Sequence, residues 1–229
     1  MGGRAIANLD NQVIRDSFVV KQLSSVPNGS RLLDAGCGSQ RYRQFCGHLN
    51  YYGQDLGKYV RDDRPTLAGS VGGTDGYMYG QLDYVGDICA IEEVDGFFDV
   101  VLCTEVFEHI PYPAKAVREF SRLLKPGGSL ILTLPSNSLR HMDPYWFYTG
   151  FSDRWIESVL PNEGFEVQDV ETIGDYYRWI AVEISRSCSK KPLVAPLLMP
   201  AFAYFISRKP DKESVNSLCF GYHVVARKV

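Results

Sequence analysis

Leu32-Leu33-Asp34-Ala35-Gly36-Cys37-Gly38-Ser39 decides the fold. It reads as a short apolar strand that ends on a carboxylate and turns through two glycines toward a helix. A backbone this bare lets a ligand lie against the main chain, and a helix starting there presents unpaired N–H groups to an anionic moiety. Asp34, held at the strand end, can bind a cationic or hydroxyl-bearing part of the same ligand.

Outward from this stretch, strands alternate with helices. The spacing predicts a helix over 10–25, a turn at Pro27-Asn28-Gly29, and strand one over 31–34. It then predicts a helix over 39–47 and a strand over 51–55. Residues 57–80 are glycine-rich and aperiodic, a long mobile loop. Strands follow at 82–85 and at 97–103, the latter a nearly continuous apolar run of the kind buried on both faces of a parallel sheet. An amphipathic helix over 114–124 stops at Lys125-Pro126-Gly127-Gly128, followed by a strand over 129–134. Ser152 caps a helix over 152–160, before a strand over 165–170, helical material over 175–207 and a last strand over 217–226. The pattern predicts an α/β domain with a doubly wound, mostly parallel sheet.

The bulk composition agrees. The 229 residues, 45% hydrophobic and 22% charged, suit one globular domain over 1–229, and the net charge of −3 argues against a broadly basic nucleic-acid binder. Six cysteines without CxxC spacing read as free thiols of a reducing cytosol. The N-terminus lacks the apolar core of a signal peptide, which predicts a cytoplasmic protein. Residues 193–206 are apolar but too few to span a bilayer, so they predict a peripheral membrane or protein contact, or a lid. The insert over 175–207 is the candidate acceptor lid.

Ligands of open α/β sheets bind beyond the carboxyl ends of the strands, where the strand order reverses. Three successive strands end in an acid: Asp34, Asp55 and Asp87. One such acid is a common strand-to-loop device. Three in order suit a ligand with an amine, a ribose diol and a base, and Asp55 stands where a ribose would be bound.

Leu33-Asp34-Ala35-Gly36-Cys37-Gly38, Tyr52-Gly53-Gln54-Asp55, Gly86-Asp87-Ile88, Phe98-Asp99-Val100-Val101 and Leu124-Lys125-Pro126-Gly127-Gly128 together resemble the ordered motifs of class I S-adenosylmethionine-dependent methyltransferases. The resemblance implies a seven-stranded Rossmann-like sheet with an antiparallel last strand and a helical insert before it. It implies Asp34, Gly36 and Gly38 at the methionine and ribose side of S-adenosylmethionine, Asp55 on the ribose hydroxyls, Asp87 with Ile88 at the adenine, and Thr104 near the sulfonium. Gln40 stands where the family usually has a third glycine. A dehydrogenase fingerprint, G-x-G-x-x-G, would need glycine where Arg41 stands, which counts against a nicotinamide cofactor.

Beyond strand four lies Glu105-Val106-Phe107-Glu108-His109-Ile110. A helical turn there would place Glu105, Glu108 and His109 on one face, and His141 could join them from beyond strand five. Two carboxylates and two imidazoles make a candidate divalent-metal site, similar to those of quinone O-methyltransferases and of methyltransferases acting on small-RNA ends. Without metal, His109 or His141 is the candidate catalytic base. The tract Tyr145-Trp146-Phe147-Tyr148 suits either an acceptor pocket or a seat for the next helix. These readings lead to methyl transfer to an oxygen of a small-molecule or glycan-like acceptor. The alternatives are a metal-dependent enzyme acting on RNA ends and a non-catalytic cofactor-binding partner subunit.

Overall fold

The computed structural model describes residues 11–59 and 78–229. Among them, seven strands form one sheet in the order β3-β2-β1-β4-β5-β7-β6. The strands are β1 (Arg31–Ala35), β2 (Asn50–Asp55), β3 (Tyr84–Val85), β4 (Phe98–Thr104), β5 (Leu124–Pro135), β6 (Phe165–Ile173) and β7 (Gly221–Lys228). β1 to β5 run parallel, and β7 is antiparallel to both β5 and β6. Strand order reverses beside β1, between β2 and β4, so the carboxyl ends of those three strands frame the natural ligand crevice.

The period-two side-chain alternation of the strands builds two cores. Leu32, Val100, Leu102 and Ile131 face α1 (Asn11–Ser24), burying Phe18, Val19 and Leu23. Their neighbours Leu33, Val101, Cys103, Leu130 and Leu132 face the opposite way. There they meet Ala116, Val117, Phe120 and Leu123 of α2 (Pro113–Leu123) and Ile156 and Leu160 of α3 (Asp153–Asn162). Each fully buried aliphatic or aromatic side chain contributes about 1.5–3 kcal/mol, so the two faces together dominate the stability of the domain.

Several expectations are corrected. The helix expected over 39–47 does not form; turns and one 3-10 turn, Arg43–Phe45, replace it. Left-handed backbone at Gly38 (φ 50°) and Gln40 (φ 58°) interrupts any helical run there. Strand β3 shrinks to two residues, and β5 begins already at Leu124, with a register irregularity between Phe98 and Val100 that absorbs the expected turn. The last strand starts at Gly221, because Asp211 and Ser214 close a capping box that makes 212–217 a short helix, α6 (Lys212–Ser217).

The insert over 175–207 is helical as expected: α4 (Tyr176–Lys190), a 3-10 turn (Pro192–Val194) and α5 (Ala195–Ser207). Most of the expected loop over 57–80 lies outside the described residues. All six cysteines are free.

Candidate functional site

The turn after β1 carries the first group of site residues. Gly36 adopts φ 71°, and a Cβ there would sit 2.5 Å from the Val106 side chain, so only glycine fits the close approach to the segment after β4. Three N–H groups of the turn are not free for a ligand as expected. Gly36 and Cys37 both donate to the Gln54 carbonyl (2.8 and 2.9 Å), and Gly38 donates to Asp55 Oδ2 at 2.9 Å. With the following helix absent, the turn is instead stitched to the end of β2.

Gln54, only 1% exposed, completes that stitching. Its Oε1 accepts from Gly36 N–H at 3.2 Å, and its Nε2 donates to the Gly86 carbonyl at 2.8 Å, joining the turns after β1 and β3. Gln40 plays a parallel role where the third glycine was expected. Its buried amide donates to the Gln81 carbonyl and lies against Gly53 and Gly80, where a Cβ would come within 2.7 and 2.6 Å of it. The role of Gln54 was missed by the sequence reading, since a Gln beside an acid carries no distinctive pattern, and Gln40 was noted there only as a departure from glycine.

Asp34 is 2% exposed and receives the Tyr51 hydroxyl at 2.7 Å. Burial raises its carboxyl to about 7; the nearby Asp55 charge adds to this, and the Tyr51 hydrogen bond opposes it. Asp55 accepts from Gly38 N–H and from Gly57 N–H (3.2 Å), which fixes its carboxylate while leaving lone pairs for a ligand diol. Asp87 Oδ1 accepts from Cys89 N–H at 2.9 Å, presenting buried Ile88 beside it.

These residues line one cavity of about 930 Å³, within the range of small-molecule sites. Asp34, Gly36, Asp55, Asp87, Ile88 and Thr104 line one part of it. Gly38 is not among the lining residues, its N–H being spent on Asp55. Arg15 of α1 also reaches the cavity, pairing with Glu105 at 3.2 Å. A lone arginine within an amphipathic helix gave little sign of this. No residue of 175–207 lines the cavity, so the expected acceptor lid contributes nothing to its wall.

The other end of the cavity holds the second group. The helical face expected for Glu105, Glu108 and His109 is not formed. Glu105 sits at φ 52°, its N–H donates to the Thr133 carbonyl, and only Phe107–His109 makes a 3-10 turn. Glu105 Oε1 accepts from Thr133 Oγ1 at 3.0 Å, so this residue leaves the proposed metal set. Glu108, His109 and His141 do come together, each offering a ligand atom within 4.8 Å of the others.

The hydrogen bonds of this trio fix its chemistry. Nδ1 of His109 lies 2.6 Å from the Tyr145 carbonyl, and Nδ1 of His141 lies 2.8 Å from the Leu139 carbonyl. A carbonyl only accepts, so each Nδ1 carries a proton and each Nε2 is turned away from these carbonyls. Burial, then the His141 charge, lowers His109 to about 4, the Tyr145 carbonyl opposing, so the ring is neutral across the physiological range. Glu108, 1% exposed, is raised well above its ordinary value, first by burial and then by Glu105. Its Oε2 has no partner, and its Oε1 stands 3.6 Å from His109 Nε2. Two imidazoles beside a buried orphan carboxyl oxygen fit a divalent cation, with the carbonyls orienting the rings from behind.

The aromatic tract divides between the cavity wall and the seat of α3. Tyr145 and Phe147 line the cavity, and Trp146 packs 5.0 Å from the His141 ring. Tyr148 turns to Phe151, and Phe151 seats Trp155 of α3. The N–H groups of Phe147 and Tyr148 both donate to the Glu108 carbonyl, pinning this loop over the trio.

Residues 33–132 match the family model described as a methyltransferase domain. That match covers less than half of the chain. The ubiquinone biosynthesis O-methyltransferase of Xanthomonas oryzae pv. oryzae is 38% identical over 113 residues, 46% of this chain and 43% of that protein. The chain thus spans less than half the length of this curated relative. A putative methyltransferase from Bacillus halodurans shares the fold at 19% identity, with a TM-score of 0.53 over 93% of this chain and 99% of that one. The cyclase SpnF shares it at 20% identity, with a TM-score of 0.57 over 94% of this chain and 80% of that one. A fold whose neighbours include both a methyltransferase and a cyclase does not set the reaction; the site must.

Proposed function

We propose that this protein transfers the methyl group of S-adenosylmethionine to an oxygen of a small-molecule acceptor. The observation that carries the reading is the single cavity holding three acid-ended strand tips at one end and the Glu108–His109–His141 trio at the other. Asp34 takes the ammonium of the cofactor, Asp55 its ribose hydroxyls, and Asp87 with Ile88 its adenine. With the N–H groups of Gly36, Cys37 and Gly38 already spent, Arg15, which lines the cavity beside Glu105, meets the cofactor carboxylate. Thr104, at the end of β4, then stands beside the sulfonium.

The acceptor oxygen attacks the methyl carbon in line as the carbon–sulfur bond breaks, and the sulfonium becomes a neutral thioether. The acceptor proton passes to the His109 or His141 Nε2 lone pair. Alignment of the two reactants supplies most of the acceleration, since the sulfonium is already activated. The relative named for O-methyl transfer in ubiquinone biosynthesis supports an oxygen acceptor.

The orphaned Glu108 Oε2 favours a second element of this reading, a divalent metal ion held by Glu108, His109 and His141. When bound, such an ion lowers the pKa of an acceptor hydroxyl. Two imidazoles to one carboxylate suit zinc or iron better than magnesium.

Calorimetry with S-adenosylhomocysteine tests the cofactor assignment. Asp55→Ala removes a charged acceptor of two hydroxyls, each bond to a charged group contributing about 1.5–3 kcal/mol, so affinity falls by at least about tenfold. Unchanged affinity would refute the assignment.

A further inference from the structure

We infer that α5 docks this protein onto an anionic phospholipid surface. The helix carries no charge from Pro192 to Ser207, and none of its residues is buried. Its exposed positions follow helical spacing: Leu193 in the preceding turn (96% exposed), Leu197 (80%), Pro200, Tyr204 and Ser207 lie on one face. The opposite face packs on α4, with Phe205 stacked on Tyr177. The open apolar face is therefore a surface of the fold and not a core left unfilled.

Charge identifies the occupant. Lys190 and Lys191 stand just before the apolar run, and Arg208, Lys209 and Lys212 stand just after it, all exposed. Against Asp211 and Glu213, residues 190–213 hold five basic and two acidic side chains, net +3, in a chain whose total is −3. An apolar helix face bracketed by lysines and arginine matches a bilayer surface, whose acyl boundary takes the leucines and whose phosphates take the cations. A folded protein partner of ordinary composition offers no such two-zone match. At 1.5 Å per residue, the 13 residues of α5 span about 20 Å, well short of the hydrocarbon core, so the helix lies on the surface. Among the described residues no helix is long and apolar enough to cross a membrane.

The attachment of the insert is firm enough to transmit docking to the domain. Asp175, 2% exposed, accepts from Tyr177 N–H at 2.8 Å and pairs with Arg178 at 3.0 Å. Gly174, at φ 76°, lies so close to Phe220 that a Cβ would meet its ring at 2.4 Å. The insert leaves β6 and rejoins β7 at the Ile173–Gly221 pair, the sheet edge at which β5 also ends with Pro135. That edge carries the cavity.

Co-sedimentation of the full chain with vesicles tests the inference. Vesicles of phosphatidylcholine with about a third phosphatidylglycerol should pellet the protein, and pure phosphatidylcholine vesicles should pellet far less. Rising salt should weaken the binding. Leu193→Asp with Leu197→Asp should cut it more than about tenfold, and Lys190→Gln with Lys191→Gln about fivefold per charge. Retained S-adenosylhomocysteine binding shows that the variants fold. No pelleting, or equal pelleting with both vesicles, overturns the proposal. So does a concentration-dependent dimer lost in Leu197→Asp, which assigns the face to a second copy. Vesicle binding is read without methyl transfer, so its failure is separable from failure of the proposed activity.

Discussion

The two ends of the cavity are built by opposite means. At the proposed cofactor end the protein satisfies its own polar groups: Gln54 and Asp55 consume the N–H groups of Gly36, Cys37 and Gly38, and Tyr51 bonds to Asp34. At the proposed acceptor end it leaves groups unsatisfied: Glu108 Oε2 has no hydrogen-bond partner, and two imidazoles spend only their Nδ1 atoms on carbonyls. A prepaid hydrogen-bond network makes a rigid mould for a ligand that is always the same. Buried polar atoms without partners are costly, about 1–3 kcal/mol each, and persist where a ligand, ion or reacting atom completes them.

The sharpest way to break this comparison is to remove the unsatisfied end. His109→Ala should lower kcat by about 10²–10⁴, the range expected for a positioned proton acceptor, while S-adenosylhomocysteine affinity stays within a fewfold of the native value. Titration of the chelator-treated protein with Mn²⁺ or Zn²⁺ separates the two roles of the ring. Heat of binding that disappears in His109→Ala and in Glu108→Gln assigns a metal; no heat in the native protein leaves the imidazole as base. A loss of cofactor affinity as large as the loss of kcat would erase the division between the ends.

The same division explains what was legible in the sequence. Leu32-Leu33-Asp34 and its counterparts declared the parallel strands, because strands buried on both faces are apolar throughout and end where the chain must turn. The order of acids marked one end of the cavity, each acid standing at or just beyond its own strand tip. The helix over 39–47 was misread because positive φ at Gln40, a non-glycine, leaves no mark in composition. Glu105 was misplaced for a similar reason: a helical face was assumed where the chain stays extended and then bends at φ 52°. His141 and Glu108 were found, but their meeting depends on the loop pinned by Phe147 and Tyr148 to the Glu108 carbonyl, a contact that no spacing encodes.

A smaller effect sharpens the cofactor end. Asp34 titrates near 7 without ligand because burial disfavours its charge. On the proposed assignment the cofactor ammonium requires the ionised form, so below that value binding releases a proton. S-adenosylhomocysteine affinity should therefore fall as pH drops from 7 to 5, approaching about tenfold per unit. Asp34→Asn should bind more weakly at pH 7 and lose this slope. An unchanged slope in Asp34→Asn would move the titrating group elsewhere.

The smallest expected effect falls on the network that holds the mould together. Gln54→Ala removes the bonds to Gly36 N–H and to the Gly86 carbonyl without touching Asp34, Asp55 or Asp87. Gly36 keeps its second bond, to the Gln54 main-chain carbonyl at 2.8 Å, so its N–H is not orphaned. The Gly86 carbonyl is the group left bare, and it lines the cavity, where water can reach it. The cost should accordingly be that of one or two ordinary hydrogen bonds, about 1–2 kcal/mol of stability by denaturant melts. Cofactor affinity should fall only a fewfold, because Asp55 remains fixed by Gly38 and Gly57. If Gln54→Ala instead matched Asp55→Ala in lost affinity, the turns after β1 and β3 would be held in place chiefly by that one buried amide, and the rigidity of this end would belong to Gln54 and not to the acids.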